Sequence, residues 1–105
     1  MKKNVILEKI ENNIALIRIN RPEALNALNI ETRKQLASVF LNLHEDESIR
    51  CIILTGNEKS FVAGADIKEM VNASNIEVMK RRTEKYWNAI SSTPQPVIAA
   101  VNGFA

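Results

Sequence analysis

The chain has 105 residues, of which 46% are hydrophobic and 25% are charged, and its formal net charge is +2. This composition is typical of one globular domain, and the small net charge argues against nucleic acid or an anionic membrane as a partner. Cys51 is the only cysteine and cannot form an internal disulfide, which favours a reducing compartment. The apolar run behind Met1 is too short for a secretory signal, and no segment approaches the roughly 20 apolar residues of a membrane span. We therefore expect a cytoplasmic protein.

Two strands in a hairpin are predicted at the start of the chain. Residues 4–11 and 13–20 are both rich in Val, Ile and Leu, and polar residues separate them. Alternation along the second strand directs Ile17 and Ile19 towards the core. Pro22 should end that strand, because proline cannot donate a hydrogen bond to a neighbouring strand, and residues 21–28 are then a loop.

An amphipathic helix is predicted after this loop. Leu36, Val39, Phe40 and Leu43 recur with helical spacing, and Asn29 is suited to cap the N-terminus. The helix should end near residues 44–47. The apolar run at residues 49–54 then predicts a strand covered on both faces, as in a parallel sheet.

The second half of the chain continues the alternation of helices and strands. Residues 66–70 can begin a short helix, and a capping box at residues 74–77 opens a longer one that should run to about Ser92. Proline residues then precede a short apolar run at residues 97–101, which predicts another buried strand. The order of strand, strand, helix, strand, helix and strand predicts an α/β fold with crossover connections. Because the chain stops directly after a strand, its sheet edge should be open and the sequence is expected to be cut short.

The segment from Phe61 to Met70 is the best candidate for chemistry. Gly64 permits positive φ or a close approach of a ligand, and the alanines on either side leave main-chain N–H groups uncovered. A helix that follows would add unpaired N–H donors and the positive end of its dipole, which suits an anion or an oxyanion. From composition alone, a simple tight turn from strand to helix is the favoured interpretation.

Three segments, in the same order along the chain, resemble the crotonase (enoyl-CoA hydratase/isomerase) family. Residues 61–70 contain Ala-Gly-Ala-Asp-Ile-Lys, residues 20–28 are similar to that family's first coenzyme A-binding loop, and residues 96–105 are similar to the strand that leads to its Gly-rich turn. Residues 52–56 also fit. The resemblance implies an α/β fold, namely the N-terminal part of the crotonase (ClpP/crotonase-like) spiral of strand-strand-helix repeats. Residues 1–105 would then form a single incomplete domain of this kind.

The resemblance also implies roles for particular residues. The backbone N–H of Ala65 would be one of two oxyanion-hole donors to the thioester carbonyl. Four residues would line the adenine and acyl-thioester path, namely Ala63, Asp66, Ile67 and Lys68. Three residues would lie against the adenosine end of the coenzyme and its phosphates, namely Glu23, Ala24 and Leu25. Many family members have a basic residue where this chain has Glu23.

The implied activity is the hydration of trans-2-enoyl-CoA. The alternatives are double-bond isomerisation, another reaction of the family, or a non-catalytic chain that binds coenzyme A or only packs against a partner. The family's second oxyanion donor and its two catalytic glutamates would follow Ala105, so the 105-residue chain alone is expected to be inactive. No separate cofactor is expected, because coenzyme A is part of the substrate, and the family resemblance implies a homo-oligomer, a trimer or a hexamer. No metal site is expected either, since His44 is the only histidine.

Two side chains outside the motifs favour structural roles. His44 is predicted to be a surface residue at a helix C-terminus, where a cationic ring would suit the helix dipole. Trp87 could border an acyl pocket, but a core or subunit contact is the favoured interpretation.

Overall fold

The computed structural model describes residues 3–64 and 84–105. It begins with strands β1 (Val5–Glu11) and β2 (Ile14–Ile19), which pair antiparallel with Val5 opposite Ile19. The predicted hairpin is thus confirmed. Ile17 and Ile19 are 0% and 1% exposed, so the predicted core face of β2 is also confirmed.

The described strands form one four-stranded mixed sheet in the order β1-β2-β3-β4. Strand β3 (Cys51–Thr55) pairs parallel with β2, and strand β4 (Val97–Ala100) pairs parallel with β3. The carboxyl ends of β2, β3 and β4 therefore lie at the same edge of the sheet. The chain leaving each of these three ends overlaps one of the three segments on which the family resemblance rests.

Helix α1 (Ile30–His44) connects β2 to β3 and covers the sheet. The side chain of Asn29 accepts a hydrogen bond of 2.9 Å from the backbone N–H of Thr32, which confirms the predicted N-cap. The apolar stripe of the helix joins the sheet in the main core cluster, whose buried members are Val5, Ala15, Ile17, Leu36, Phe40, Leu43, Ile49 and Ile52. The predicted end of the helix near residue 44 is confirmed.

Helix α2 (Glu84–Ser91) packs against α1 and leads into β4. One polar connection between the two helices comes from His44, whose Nε2 lies 2.7 Å from the carbonyl oxygen of Ala89 and 3.0 Å from Oγ1 of Thr93. His44 is therefore a half-buried residue that joins the helices, and its prediction as a surface residue is wrong. The helices predicted at residues 66–70 and from the capping box at 74–77 lie outside the described residues.

Burial differs from the prediction in β4 and in part of β3. Every residue of β4 is exposed, Ile98 to 54%, so the prediction of a buried strand is wrong. The reason is its place at the edge of the sheet, where none of the described helices covers either face. In β3, Ile52 is fully buried under the helices, whereas Cys51 and Ile53 on the other face are half-buried.

Among the described residues, no helix is long and apolar enough to cross a membrane.

Candidate active site

Three segments meet at the carboxyl edge of the sheet. We call residues 20–28, after β2, the first loop; residues 56–64, after β3, the second loop; and residues 101–105, after β4, the terminal segment. In open sheets of parallel strands, ligands bind outside the carboxyl ends of the strands, where such loops leave a crevice. The contacts among the three segments therefore define the candidate site.

The first loop is a tight turn with left-handed backbone at its centre. Pro22–Ala24 forms one turn of 3-10 helix, and the next two residues, Leu25 and Asn26, have φ of 51° and 60°. Their N–H groups donate to the carbonyl oxygens of Pro22 and Arg21 at 3.2 and 2.9 Å. These hydrogen bonds hold a conformation that costs a non-glycine residue about 1–2 kcal/mol. The turn leaves Leu25 45% exposed and buries Asn26 completely.

The first and second loops are joined by three hydrogen bonds, which we call the seam. The backbone N–H of Ala63 donates to the carbonyl oxygen of Leu25 at 3.2 Å, and the N–H of Leu28 donates to the carbonyl oxygen of Gly64 at 2.7 Å. Between them, Nδ2 of Asn26 donates to the carbonyl oxygen of Ser60 at 3.1 Å. The seam places two of the predicted binding segments side by side.

The second loop begins with a turn that requires glycine. A Cβ on Gly56 would lie 2.2 Å from the carbonyl oxygen of Ser60 and 2.8 Å from Nδ2 of Asn26. Oδ1 of Asn57 accepts from the N–H groups of Lys59 and Ser60, which closes the turn. At the other end of the loop, Gly64 has φ of +112° and open space where a Cβ would be.

The terminal segment pairs with the second loop on its other side. Phe61 N–H donates to the carbonyl oxygen of Phe104 at 2.7 Å, and Phe104 N–H donates to that of Lys59 at 3.1 Å. Gly103, with φ of +66°, approaches so closely that a Cβ would lie 2.1 Å from the Lys59 carbonyl oxygen. The second loop is thus held between the other two segments.

Charged side chains of both signs lie around the first two loops. Nε of Arg21 lies 3.8 Å from Oε2 of Glu23, and its Nη1 donates to the carbonyl oxygen of Ala27 at 2.9 Å. A cleft of about 470 Å³ beside these loops is lined by Arg18, Pro22, Asn57, Glu58 and Lys59. In the part of the chain that the structure describes, no three His, Cys, Asp or Glu side chains lie close enough together to hold a metal ion.

Comparison with known proteins shows which family has this sequence and fold. Residues 9–105 match the family model for enoyl-CoA hydratase/isomerase. The chain belongs to this family. It is 50% identical to the short-chain-enoyl-CoA hydratase of Clostridium acetobutylicum over 97% of its own length, and 43% identical to the crotonyl-CoA hydratase of Syntrophomonas wolfei over 98%. The crystal structure of an enoyl-CoA hydratase from Bacillus anthracis superposes with a TM-score of 0.89 at 31% identity and covers 96% of this chain.

These matches confirm the crotonase fold, the α/β class and the assignment to an N-terminal portion of that fold. The chain spans about 40% of the length of the two hydratases and of the B. anthracis structure. A family member of full length therefore has considerable structure beyond the strands and helices described above.

The crotonase residues predicted to contact the substrate divide into two groups. Glu23, Ala24, Leu25 and Ala63 are described, and the seam brings Leu25 and Ala63 together. Glu23, Leu25 and Ala63 are exposed and Ala24 is half-buried, so solvent reaches all four. Ala65, Asp66, Ile67 and Lys68 lie outside the described residues, and their roles remain predictions.

The sequence interpretation missed Asn26 as a central member of the site. A possible signal was its residue type, because asparagine tolerates left-handed backbone better than most residues and carries both a donor and an acceptor. Its partner across the seam, the carbonyl of Ser60, leaves no signal in the sequence because every residue has a carbonyl.

Proposed function

We propose that this chain supplies the coenzyme A-binding loops and the first oxyanion donor of an enzyme that hydrates trans-2-enoyl-CoA. The observation that carries the proposal is the seam, which joins the segment expected against the adenosine end and its phosphates to the segment expected along the adenine and acyl-thioester path. Relatives named as enoyl-CoA and crotonyl-CoA hydratases match almost the whole of this chain, which supports the choice of substrate class.

The proposed chemistry needs hydrogen-bond donors for a developing enolate. Adding water to an α,β-unsaturated thioester places negative charge on the carbonyl oxygen, and removing one donor to such an oxygen costs about 10²–10³ in rate. We assign one donor to the backbone N–H of Ala65. In support, the preceding residue, Gly64, has its carbonyl oxygen held by Leu28 N–H at 2.7 Å, so the segment entering residue 65 is anchored.

Coenzyme recognition by the first loop would depend on shape more than on charge. Glu23 lies near Arg21, which partly offsets its carboxylate, so a phosphate would meet less repulsion than the sequence alone suggests. Ala24 and Leu25 then offer a small apolar surface to the adenosine end. We propose that no separate cofactor is required.

The proposed activity requires more residues than the chain described above contains. We propose a homo-oligomer, either a trimer or a hexamer, in the cytoplasm, with the proton-transferring glutamates outside these 105 residues. Each such proton transfer contributes about 10²–10⁴ to the rate, so a chain without the glutamates should bind substrate and not convert it. Isomerisation would use the same loops and oxyanion, and differs in the residues that move the protons.

The test combines binding and turnover of crotonyl-CoA by the 105-residue chain. We expect saturable binding by calorimetry and no loss of the enoyl ultraviolet absorbance. Leu25→Asp should weaken binding about tenfold because it places a carboxylate beside the phosphates. Leu41→Asp is the matched control, since Leu41 is 53% exposed on α1 and away from the loops.

Two results would contradict the proposal. If crotonyl-CoA does not bind, or if the two aspartate variants weaken binding equally, the first loop does not form part of the binding site. Turnover at enzyme-like rates of about 1–10³ s⁻¹ would show that the proton-transferring groups lie within this chain.

A further inference from the structure

Asn26 is the one side chain in the described residues that forms part of the seam. It is 0% exposed, and its two polar atoms bond in different directions. Oδ1 accepts a 2.8 Å hydrogen bond from the backbone N–H of Arg21 within the first loop, while Nδ2 donates across the seam to the Ser60 carbonyl. A single amide thus fixes the shape of one loop and its distance from the other.

The two backbone hydrogen bonds of the seam lie on either side of Asn26 along the first loop. Leu25 precedes it and accepts from Ala63 N–H, and Leu28 follows and donates to the carbonyl oxygen of Gly64. Because the two backbone hydrogen bonds flank the buried amide, a shift of Asn26 would move the two loops relative to each other. The left-handed backbone at residue 26 further limits which side chains can replace it.

We infer that Asn26 is a positioning residue that couples the two halves of the acyl-CoA site. It holds residues 23–25, expected against the adenosine end and its phosphates, at a fixed distance from residues 63–64, which lead into the segment expected along the adenine and acyl-thioester path. This inference rests on the proposed function. Asn26 itself is buried and does not touch the ligand.

Coupling has a signature that a general loss of stability does not share. When two half-sites are held at the separation that a ligand spans, binding of one end raises the effective concentration of the other. The affinity for the whole ligand then exceeds that for either fragment. Loosening the seam lowers the affinity for the whole ligand and leaves each fragment's affinity unchanged.

The experiment measures three ligands against three variants of the 105-residue chain. The ligands are crotonyl-CoA, adenosine 3′,5′-bisphosphate for one end and crotonyl-pantetheine for the other. Asn26→Gly removes both side-chain hydrogen bonds and keeps the left-handed backbone, whereas Asn26→Asp keeps the acceptor for Arg21 and loses the donor to Ser60. The control is Thr32→Ala, because Thr32 is equally buried and its hydroxyl bonds to Asn4 and Asn29, outside the two loops.

Both Asn26 variants should bind crotonyl-CoA about tenfold more weakly, with fragment affinities changed less than about threefold. Thr32→Ala should match the wild type for all three ligands. Fragment affinities that fall by the same factor as crotonyl-CoA, or unchanged crotonyl-CoA binding, would overturn the inference. Loss of the folded spectrum in both Asn26 variants would also overturn it, since the residue would then serve folding alone.

A second measurement separates this inference from the proposed function. Amide hydrogen exchange in the ligand-free protein should be at least about tenfold faster at Ala63 and Leu28 in Asn26→Gly, with exchange in the β1–β2 pair unchanged. If the wild type binds no crotonyl-CoA, the proposed function fails, and the exchange data still decide whether Asn26 holds the seam. Unchanged exchange at Ala63 and Leu28 would overturn the positioning role.

Discussion

The backbone N–H of Leu28 donates a 2.7 Å hydrogen bond to the carbonyl oxygen of Gly64. This contact joins the end of the first loop to the end of the second, directly before the residue assigned to the oxyanion. It also ties the position of Gly64 to the start of α1, because Leu28 precedes the helix cap at Asn29. Substitutions along this connection therefore test the site most directly.

Substituting the two glycines of positive φ should separate backbone strain from steric overlap. Gly64→Ala should lower the free energy of unfolding by about 1–3 kcal/mol, since the added Cβ meets open space and only φ of +112° is unfavourable. Gly103→Ala should cost more, because its Cβ would also lie 2.1 Å from the Lys59 carbonyl oxygen. Urea denaturation followed by circular dichroism measures both values. Equal losses, or a larger loss for Gly64→Ala, would be inconsistent with the geometry of the loops.

Removing two buried hydroxyl groups should change the free energy of unfolding by very different amounts. Ser60→Ala should change the free energy of unfolding by less than about 0.5 kcal/mol, because its Oγ has no partner among the described residues. Thr32→Ala should cost about 1–3 kcal/mol, since Oγ1 of Thr32 accepts from Nδ2 of Asn4 and donates to Oδ1 of Asn29. Thermal unfolding of the two variants in parallel makes the comparison. A large loss in Ser60→Ala would reveal a partner for that hydroxyl.

The oxyanion assignment predicts a difference between two ligands. Ala65→Pro removes the backbone donor and should weaken binding of crotonyl-CoA about tenfold or more, whereas free coenzyme A, which has no thioester carbonyl, should bind both proteins equally. Ala65→Ser retains the N–H and is the control. Calorimetric titration of the wild type and the two variants with each ligand gives the six affinities. If proline and serine variants bind crotonyl-CoA equally, the N–H of residue 65 does not hold the carbonyl.

The turn between α1 and β3 should contribute a pH-dependent increment of stability. The side-chain hydroxyl and then the backbone N–H of Ser48 donate to Asp46 and hold the pKa of that carboxyl below its usual range. A lowered pKa in the folded state stabilises the protein above the unfolded pKa, and this contribution is lost as pH falls through the folded value. The Tm difference between the wild type and Asp46→Asn should therefore be largest near neutral pH and shrink below about pH 4. Glu47→Gln controls for the loss of one negative charge, and a Tm difference for Asp46→Asn that is constant with pH would refute the assignment.

Much of the fold could be predicted because its signals are local. Alternating apolar residues predicted the hairpin with Ile17 in the core, and the spacing of Leu36 and Phe40 together with Asn29 predicted α1 and its cap. Three short segments were enough to predict the crotonase family and the α/β class. The spacing of apolar residues, helix capping and turn formation all depend on neighbours within a few residues, so they can be recognised in a single sequence.

What only the tertiary structure decided concerns contacts between distant segments. The parallel register of β2, β3 and β4 brings three loops to one edge, and this juxtaposition makes Asn26 a bridge to the carbonyl of Ser60. The packing of α2 against α1 gives His44 its contact with Ala89. The same topology leaves β4 exposed at the sheet edge although its composition predicted burial. Backbone carbonyls carry no sequence signal, and the burial of an apolar strand depends on which elements lie beside it. Residue type therefore determined what each segment could form, and the packing of the segments determined which atoms meet.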